Sequence, residues 1–276
     1  MSTPISEYIF SDAQNLKELE RLQAIEQIFD PKTRQRILTT GITNKWQCLE
    51  VGAGAGSIAQ WLATIVGESG KVVAVDIDTR FSANVQSSNL EVLQADVRHL
   101  ALENQSFDLI HARYLLIHIL DFEVALSKML DLLKPGGWIV IEEPDFSVAK
   151  AIVGENRMCQ SFQRVNLAIQ QMFADKGMDY ALGGKLPGIF QKYDWQKLSL
   201  ENDTPVSAGG SGIAKMMKMS TMQLAQKYIA TSKATQSDIE NFYLFADDPN
   251  TSAIYYATVA VIAQKSDVKL NPVALV

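Results

Sequence analysis

Residues 48–63 read CLEVGAGAGSIAQWLA, and this stretch determines the fold class. An apolar run leads into three glycines at alternate positions, Gly52, Gly54 and Gly56, and a segment with helical spacing of apolar residues follows. Glycine tolerates positive φ and lets a ligand approach the backbone closely. A loop that joins a strand to a helix in this way is where open α/β sheets bind ligands. The stretch therefore predicts a ligand site at the glycine loop.

The composition is that of an ordinary globular enzyme. The chain has 276 residues, of which 47% are hydrophobic and 20% charged, so it can bury a large core. A net charge of −6 argues against a nucleic-acid partner. The apolar run YLLIHIL is too short for a membrane span, and no secretory signal is visible. With only two cysteines, Cys48 and Cys159, the sequence predicts a cytoplasmic protein.

Short β-rich runs alternate with helical runs after residue 45. Continuous apolar strands separated by helices are typical of a parallel sheet covered on both faces, so we expect a doubly wound α/β core. The expected strands are 46–51, 71–76, 90–94, 107–112 and 138–143, followed later by 194–202 and 253–265. The expected organisation is an N-terminal helical cap at 1–45, the core at 46–206, a helical insertion at 207–250 and the last strand with its tail at 251–276.

Local signals place the helix ends and turns outside the core. Asp30 followed by Pro31 predicts the start of a second helix within the cap, and Ser237 with Glu240 predicts a capping box in the insertion. The sequence KPGG at 134–137 predicts a turn before the fifth strand.

Three acidic residues follow successive strands and indicate which ligand the loop holds. A dinucleotide fingerprint would need a small apolar residue at position 57, which is Ser57, and Glu50 would repel a pyrophosphate. Glu50 suits an ammonium group, Asp76 suits two ribose hydroxyls, and Asp96 suits an adenine amino group. An adenosine joined to an amino-acid tail meets all three requirements, so we infer S-adenosylmethionine.

The chain resembles the class I S-adenosylmethionine-dependent methyltransferases, in the small-molecule branch that includes ubiquinone-biosynthesis-type enzymes. The matching segments are LEVGAGAG (49–56), VVAVDID (72–78), LQADV (93–97), FDLIHARYLLIHI (107–119) and LKPGGWIVIEE (133–143). The resemblance implies a Rossmann-like seven-stranded sheet with an antiparallel last strand. It also implies roles for Glu50, Gly52, Gly54 and Gly56 along the methionine part, Asp76 and Ile77 at the ribose and adenine, Asp96 and Val97 at the adenine, and Ala112 and Arg113 at the methionine tail.

His118 is the candidate catalytic residue, because the family often places a histidine one turn after the fourth strand. A purely structural role is the alternative, and a metal shared by His111 and His118 is not expected. The resemblance also implies that Tyr8 and Arg21 fold over the cofactor and neutralise its carboxylate, the alternative being an ordinary amphipathic cap.

Two further groups of residues have open roles. Glu142, Glu143 and Asp145 either contact the acceptor or are solvated loop acids. The methionines at 216–222, with Phe242, Tyr243 and Phe245, either pack the insertion or form a pliable wall around a bulky acceptor.

The predicted function is methyl transfer to a small, partly hydrophobic molecule at oxygen, nitrogen or carbon. The alternatives are a non-catalytic S-adenosylmethionine-binding protein with a regulatory or scaffolding role, and a dinucleotide oxidoreductase, which Ser57 and Glu50 disfavour. We expect a small-molecule partner, no nucleic acid and no membrane, and a homo-oligomer is possible.

Overall fold

The structure is a computed structural model that describes residues 8–10, 15–82 and 85–267. Its strands are β1 Gln47–Val51, β2 Lys71–Asp76, β3 Leu90–Gln94, β4 Phe107–Arg113, β5 Leu133–Asp145, β6 Lys150–Val153, β7 Trp195–Asp203, β8 Ser207–Ala208, β9 Ser252–Ile254 and β10 Ala257–Lys265. Its helices are α1 Asn15–Leu38, α2 Ser57–Val66, α3 Phe122–Leu132, α4 Asn156–Asp175, α5 Leu182–Phe190, α6 Gly212–Ala230 and α7 Gln236–Asp247.

Seven of the described strands form one sheet in the order β3-β2-β1-β4-β5-β10-β7. The strands β1 to β5 run parallel, and β10 lies antiparallel between β5 and β7. The prediction of a doubly wound sheet with an antiparallel last strand is confirmed. Because the parallel strands end at one edge, the tips of β1, β2, β3 and β4 come together there, and the glycine loop lies at that edge.

The sheet is buried on both faces, which explains why its central strands are apolar at successive positions. Leu49, Ile110 and Ile141 face one hydrophobic cluster, and Cys48, Leu109 and Val140 face the other. In a strand, neighbouring side chains point to opposite faces, so a run with no polar alternation must be covered on both sides.

The N-terminal cap differs from the prediction of two helices. α1 runs without a break from Asn15 to Leu38, with Pro31 inside it. The carboxylate of Asp30 does not cap a helix, because it accepts hydrogen bonds from Arg34 at 3.2 Å and Arg113 at 2.9 Å. Proline removes one backbone donor from the helix interior. Side chains on both sides of Pro31 bind the sheet, since Asp30 pairs with Arg113 of β4 and Arg36 pairs with Glu142 of β5.

Three other local predictions are also corrected. The capping box of α7 uses Thr235 and Asp238, not Ser237 and Glu240. The predicted strand 253–265 is two strands, since β9 belongs to a small sheet of order β6-β9-β8 and β10 to the main sheet. The predicted turn at 134–137 lies inside β5, where only Gly136 has a turn-like φ of +71°.

The helices α4, α6 and α7 pack together on the side of the cavity described below. α4 comes from the segment predicted as core, and Phe162 of α4 stacks on Phe242 of α7 with ring centroids 5.5 Å apart. The domain boundaries stay a prediction. Within the described ranges, no helix is long and apolar enough to cross a membrane.

Candidate functional site

A single cavity of about 1010 Å³ opens at the carboxyl edge of the sheet. One part is lined by the tips of β1, β2 and β3, including the glycine loop. The other part is lined by α1, the segment 8–10, the turn after β4, α4 and α6. The volume is at the upper end of the range for ligand pockets.

The glycine loop adopts a backbone that other residues would resist. Gly52, Gly54 and Gly56 have φ of +74°, +55° and +93°. A Cβ on Gly52 would lie 3.1 Å from Leu115 Cδ1, and one on Gly56 would lie 2.5 Å from Val85 Cγ2. Gly52 and Gly54 line the cavity, whereas Gly56 does not and instead makes room for Val85 behind the loop.

Asp76 ends β2 with its carboxylate at the cavity wall. It accepts hydrogen bonds from the amides of Gly54 at 2.9 Å and Asp78 at 2.9 Å, one on each oxygen. Burial raises the pKa of Asp76, while the amide hydrogen bonds oppose that rise. The carboxylate is thus oriented by two strand tips, and each oxygen retains a lone pair for a hydroxyl of a ligand.

The third strand tip supplies a polar group with an apolar neighbour. Asp96 lies on the cavity with Val97, and Ile77 presents a half-exposed side chain to the same region. In this structure Arg98 binds the Asp96 carboxylate through Nε at 3.0 Å and Nη2 at 2.7 Å, which lowers the pKa of Asp96. An amino donor at Asp96 would therefore share the carboxylate with Arg98.

Glu50 binds a histidine rather than pointing freely into the cavity. Its Oε2 lies 2.6 Å from Nδ1 of His111, which is fully buried in β4. On the other side of the ring, Nε2 lies 3.4 Å from Glu142 Oε1, and Glu142 accepts a hydrogen bond of 2.6 Å from Arg36. Although burial acts in the opposite direction, the two carboxylates raise the pKa of His111 to about 9. The histidine is therefore a buried cation at neutral pH.

The two predicted residues at the tip of β4 have different positions. Arg113 lines the cavity, and its guanidinium is fixed by Asp30 at 2.9 Å and Thr33 at 2.8 Å. Ala112 is fully buried in the sheet between Val51 and Ile141, and it does not line the cavity. Ala112 packs instead into one of the two hydrophobic clusters that cover the sheet.

Tyr8 and Arg21 line the cavity, but both already have a carboxylate partner. Arg21 binds Glu18 with both Nε and Nη2 at 2.8 Å, and Tyr8 donates a hydrogen bond of 2.6 Å to the same carboxylate. A second hydrogen bond of 2.9 Å joins Arg21 to the Tyr8 hydroxyl. Arg21 was expected to pair with the carboxylate of the cofactor. In this structure it pairs instead with Glu18, which is buried and lies one turn away on the same helix.

His118 lines the cavity as a neutral, half-buried imidazole. Burial, assisted by the charge of Arg21, lowers the pKa of His118 to about 3. Its ring packs edge-on against Tyr8 at 5.1 Å and is stacked near Phe173 at 6.1 Å. Nδ1 is buried without a hydrogen-bond partner among the described residues. A buried polar atom of this kind normally has a partner, so the orphan indicates where a ligand group would bind.

The acids at the end of β5 are buried, and they do not line the cavity. Glu143 is fully buried and accepts hydrogen bonds from the amides of Leu115 at 3.0 Å, Leu116 at 2.7 Å and Ile117 at 3.2 Å. Burial raises the pKa of Glu143 to about 8, against the effect of those amides. Both earlier interpretations of Glu142, Glu143 and Asp145 are wrong, because Glu142 pairs with Arg36, Glu143 holds the turn that carries His118, and Asp145 caps the Ser147 amide at 2.8 Å.

The other part of the cavity is largely apolar and aromatic, and we call it the acceptor compartment. It is lined by Tyr8, Phe10, Arg21, His118, Phe146, Phe173, Met216, Met217, Leu224, Tyr228 and Tyr256. Ring contacts connect Phe10, Tyr8, His118, Phe173, Phe146 and Tyr256 in sequence, at centroid distances from 5.1 to 6.1 Å. Of the expected wall, Met216 and Met217 line this compartment, whereas Phe242 and Phe245 pack in the core and Met222 is exposed.

Several residues in or behind the cavity wall were not predicted from the sequence. Ile169 and Phe173 lie on α4, whose apolar residues recur at helical spacing from Phe162 onward, so the helix itself was detectable. Glu18, the partner of Arg21, stands three positions before it, a spacing that allows a pair on one helix face. No sequence signal shows which of these residues meet at the cavity. Among the described residues, no cluster of three potential metal ligands is present.

Comparisons with known proteins agree with this geometry. Residues 49–141 match a family model described as "Methyltransferase domain". The methyltransferase str2 of Strobilurus tenacellus is 31% identical over 133 residues, which are 47% of this chain and 46% of that protein. The ubiquinone/menaquinone biosynthesis C-methyltransferase UbiE of Saccharophagus degradans is 30% identical over 113 residues, 38% of this chain and 45% of that protein. The chain thus spans about half the length of the curated relatives it matches.

Solved structures show the same fold at low sequence identity. The phosphoethanolamine N-methyltransferase 2 of Haemonchus contortus, in complex with phosphomonomethylethanolamine and S-adenosylhomocysteine, is 17% identical with a TM-score of 0.59, covering 95% of this chain and 60% of that one. The [4+2]-cyclase SpnF is 15% identical with a TM-score of 0.53, covering 84% and 81%. A cyclase on this architecture illustrates that the fold alone does not fix the reaction.

Proposed function

We propose that this chain, in which residues 49–141 are a methyltransferase domain, moves the methyl group of S-adenosylmethionine to a small, partly hydrophobic organic molecule. One observation supports the proposal most strongly. A single cavity joins the glycine loop and the strand-tip acids to an aromatic compartment large enough for a second molecule.

The residues present fit S-adenosylmethionine. The positive φ of Gly52 and Gly54 leaves the loop backbone open to the ligand, and any side chain at position 52 would press on Leu115. Asp76 is oriented for ribose hydroxyls, and Ile77, Asp96 and Val97 offer the flat apolar contact and the acceptor that an adenine needs. Tyr8, Ile9 and Phe10 cover the cavity from the side of α1. When bound, the cofactor supplies a methyl group that its sulfonium already activates for attack.

Glu50 acts in this proposal as the acid below the loop, with its orientation set by His111. The ion pair leaves one carboxylate oxygen of Glu50 for the ammonium side of a ligand. Arg113, fixed by Asp30, lies on the same wall and can neutralise a carboxylate. Ala112 and Gly56 shape this wall from behind and are not proposed as contacts.

His118 orients the acceptor in this proposal. Its ring is neutral, its position is fixed by the turn that Glu143 holds, and its Nδ1 has one hydrogen bond to give or accept. With a pKa near 3 it is a weak base, so we expect alignment of the acceptor rather than full removal of a proton. The apolar walls keep water away from the reacting atoms.

The assay begins with calorimetry, in which S-adenosylhomocysteine is titrated into the purified chain. Asp76→Asn should weaken binding about 10- to 100-fold, because hydrogen bonds to a charged group contribute about 1.5–3 kcal/mol. The control is Asp131→Asn, which changes an exposed aspartate of α3 outside the cavity and should bind normally. No heat with the wild-type chain would refute the proposal.

Transfer itself is tested with S-adenosylmethionine carrying a labelled methyl group and a panel of small aromatic and aliphatic acceptors. His118→Ala should lose turnover and retain affinity for S-adenosylhomocysteine. Full turnover would remove His118 from the mechanism. Binding without label transfer to any acceptor would favour the non-catalytic alternative. Cytoplasmic location remains part of the proposal, supported by two cysteines that are both unpaired.

A further inference from the structure

The ion pair between Glu18 and Arg21 lies in the wall of the acceptor compartment and is almost completely buried. The side chains of Arg21 and Glu18 are 7% and 2% exposed. The guanidinium also stacks over Phe10, with its central carbon 3.8 Å from the ring centroid. A bidentate pair with an additional aromatic contact is held firmly, because the planar guanidinium loses little freedom for each bond formed.

The charge of Arg21 acts on the whole compartment. Burial lowers the pKa of His118 and raises the pKa of Tyr228 and of Tyr256, and the charge of Arg21 acts to lower all three. The three residues lie on different elements of the wall. In an apolar cavity such a charge is weakly screened, so an unpaired Arg21 would attract any anion that enters. Glu18 lies behind the wall and does not line the cavity, yet its carboxylate cancels that attraction at 2.8 Å.

The other charged residues on the helical side of the cavity also have partners. Glu26 accepts a hydrogen bond of 3.0 Å from the Ser57 amide, and Arg113 is bound by Asp30. Among the described residues that line the cavity, the side-chain polar atom that is buried without a partner is Nδ1 of His118, in a neutral ring. The charged residue in the lining of the acceptor compartment, Arg21, is therefore paired, and His118 has a hydrogen bond to offer.

We propose that Glu18 determines acceptor specificity: by pairing with Arg21 it makes the compartment neutral, so the chain selects an uncharged acceptor and rejects one that carries a carboxylate or a phosphate. The accepted molecule is an apolar body with one hydroxyl or N–H group placed at His118. This inference rests on the proposed function, since it concerns the acceptor side of the same cavity.

The test compares two probes of equal shape, 2-naphthalenemethanol and 2-naphthoate, by calorimetry with S-adenosylhomocysteine present and again without it. The wild-type chain should bind the alcohol at least tenfold more tightly than the carboxylate. Glu18→Gln leaves the charge of Arg21 unpaired and should increase the affinity for naphthoate at least tenfold, while the affinity for the alcohol changes less than threefold.

Two variants serve as controls for Glu18→Gln. Glu20→Gln removes an exposed carboxylate two residues away on α1 and should behave as the wild type. Glu18→Gln combined with Arg21→Met removes both charges and should restore the preference for the alcohol. A purely structural role for the pair would change both probes equally in every variant.

Equal binding of the two probes by the wild-type chain would overturn the inference, and this comparison remains decisive if Glu18→Gln does not fold. A Glu18→Gln chain that folds without gaining naphthoate affinity would overturn it as well. If S-adenosylhomocysteine gives no heat, the proposed function fails, while the probe comparison without that ligand still reports on Glu18.

Discussion

The buried histidine below the glycine loop makes the stability of this protein depend on pH in a defined window. His111 lies 2.6 Å from Glu50 and 3.4 Å from Glu142. These carboxylates raise the pKa of His111 from 6.5 to about 9 in the folded state. The folded state then binds this proton more tightly than the unfolded state does, so protonation of His111 stabilises the fold. This stabilisation is complete below pH 6.5 and is lost as the pH rises through 9.

The size of the effect follows from the shift. Between pH 7 and pH 9 the protonated histidine should lose about 2 kcal/mol of its contribution to the free energy of unfolding. His111→Gln keeps a hydrogen-bonding group of similar size and removes the titration. We therefore expect the difference in unfolding free energy between the wild type and His111→Gln to shrink by about that amount over this range.

Urea unfolding at pH 7, 8 and 9, followed by circular dichroism, measures this difference. The carboxyl group of Glu143, which has a pKa raised to about 8, also reduces stability as the pH rises towards 8, but wild type and variant share it, so it cancels. His99→Gln changes an exposed histidine and should follow the wild type. A constant difference between wild type and His111→Gln from pH 7 to pH 9 would show that His111 is not a buried cation.

Three further changes test other contacts. Gly56→Ala puts a Cβ 2.5 Å from Val85 Cγ2 at a φ of +93°. The free energy of unfolding should fall by about 1–3 kcal/mol, and the affinity for S-adenosylhomocysteine measured by calorimetry should drop. Normal binding would show that the loop tolerates a side chain there. Arg36→Met leaves the buried carboxylate of Glu142 without its partner at 2.6 Å. Unfolding in urea should show that the free energy of unfolding falls by about 3–5 kcal/mol. A decrease below 1 kcal/mol would contradict the pairing. Asp238→Ala removes the capping box of α7. The free energy of unfolding should fall by about 1–2 kcal/mol, which lowers the melting temperature. An unchanged melting temperature would show that the cap is dispensable.

The main sheet could be predicted because its signals are local. Apolar strands such as 71–76 and 107–112 alternate with helices, and three glycines mark the binding edge. Each signal depends on neighbours within a few residues, and parallel strands then bring their tips together at one edge. Gly52, Gly54 and Asp76 therefore lie at the cavity wall.

Partners distant in sequence could not be predicted in the same way. Glu50 and His111 are 61 residues apart, and Arg36 meets Glu142 across 106 residues. The sequence shows that each of these groups can carry a charge, but it does not show which groups meet in the fold. Burial then requires the charges that meet to pair. The predicted helix start at Asp30 and Pro31 was wrong because α1 continues through Pro31 while Asp30 pairs with Arg113 of β4. The predicted capping box at Ser237 was wrong because Thr235 and Asp238 supply the same local signal two residues earlier.

The sequence by itself determined the fold class and the edge at which a nucleotide-like ligand would bind, because periodicity and glycine conformation act over short distances. Only the tertiary structure decided the charge of the acceptor compartment. Arg21 alone would make that wall cationic, and the fold buries it against Glu18, where low dielectric requires the two charges to cancel.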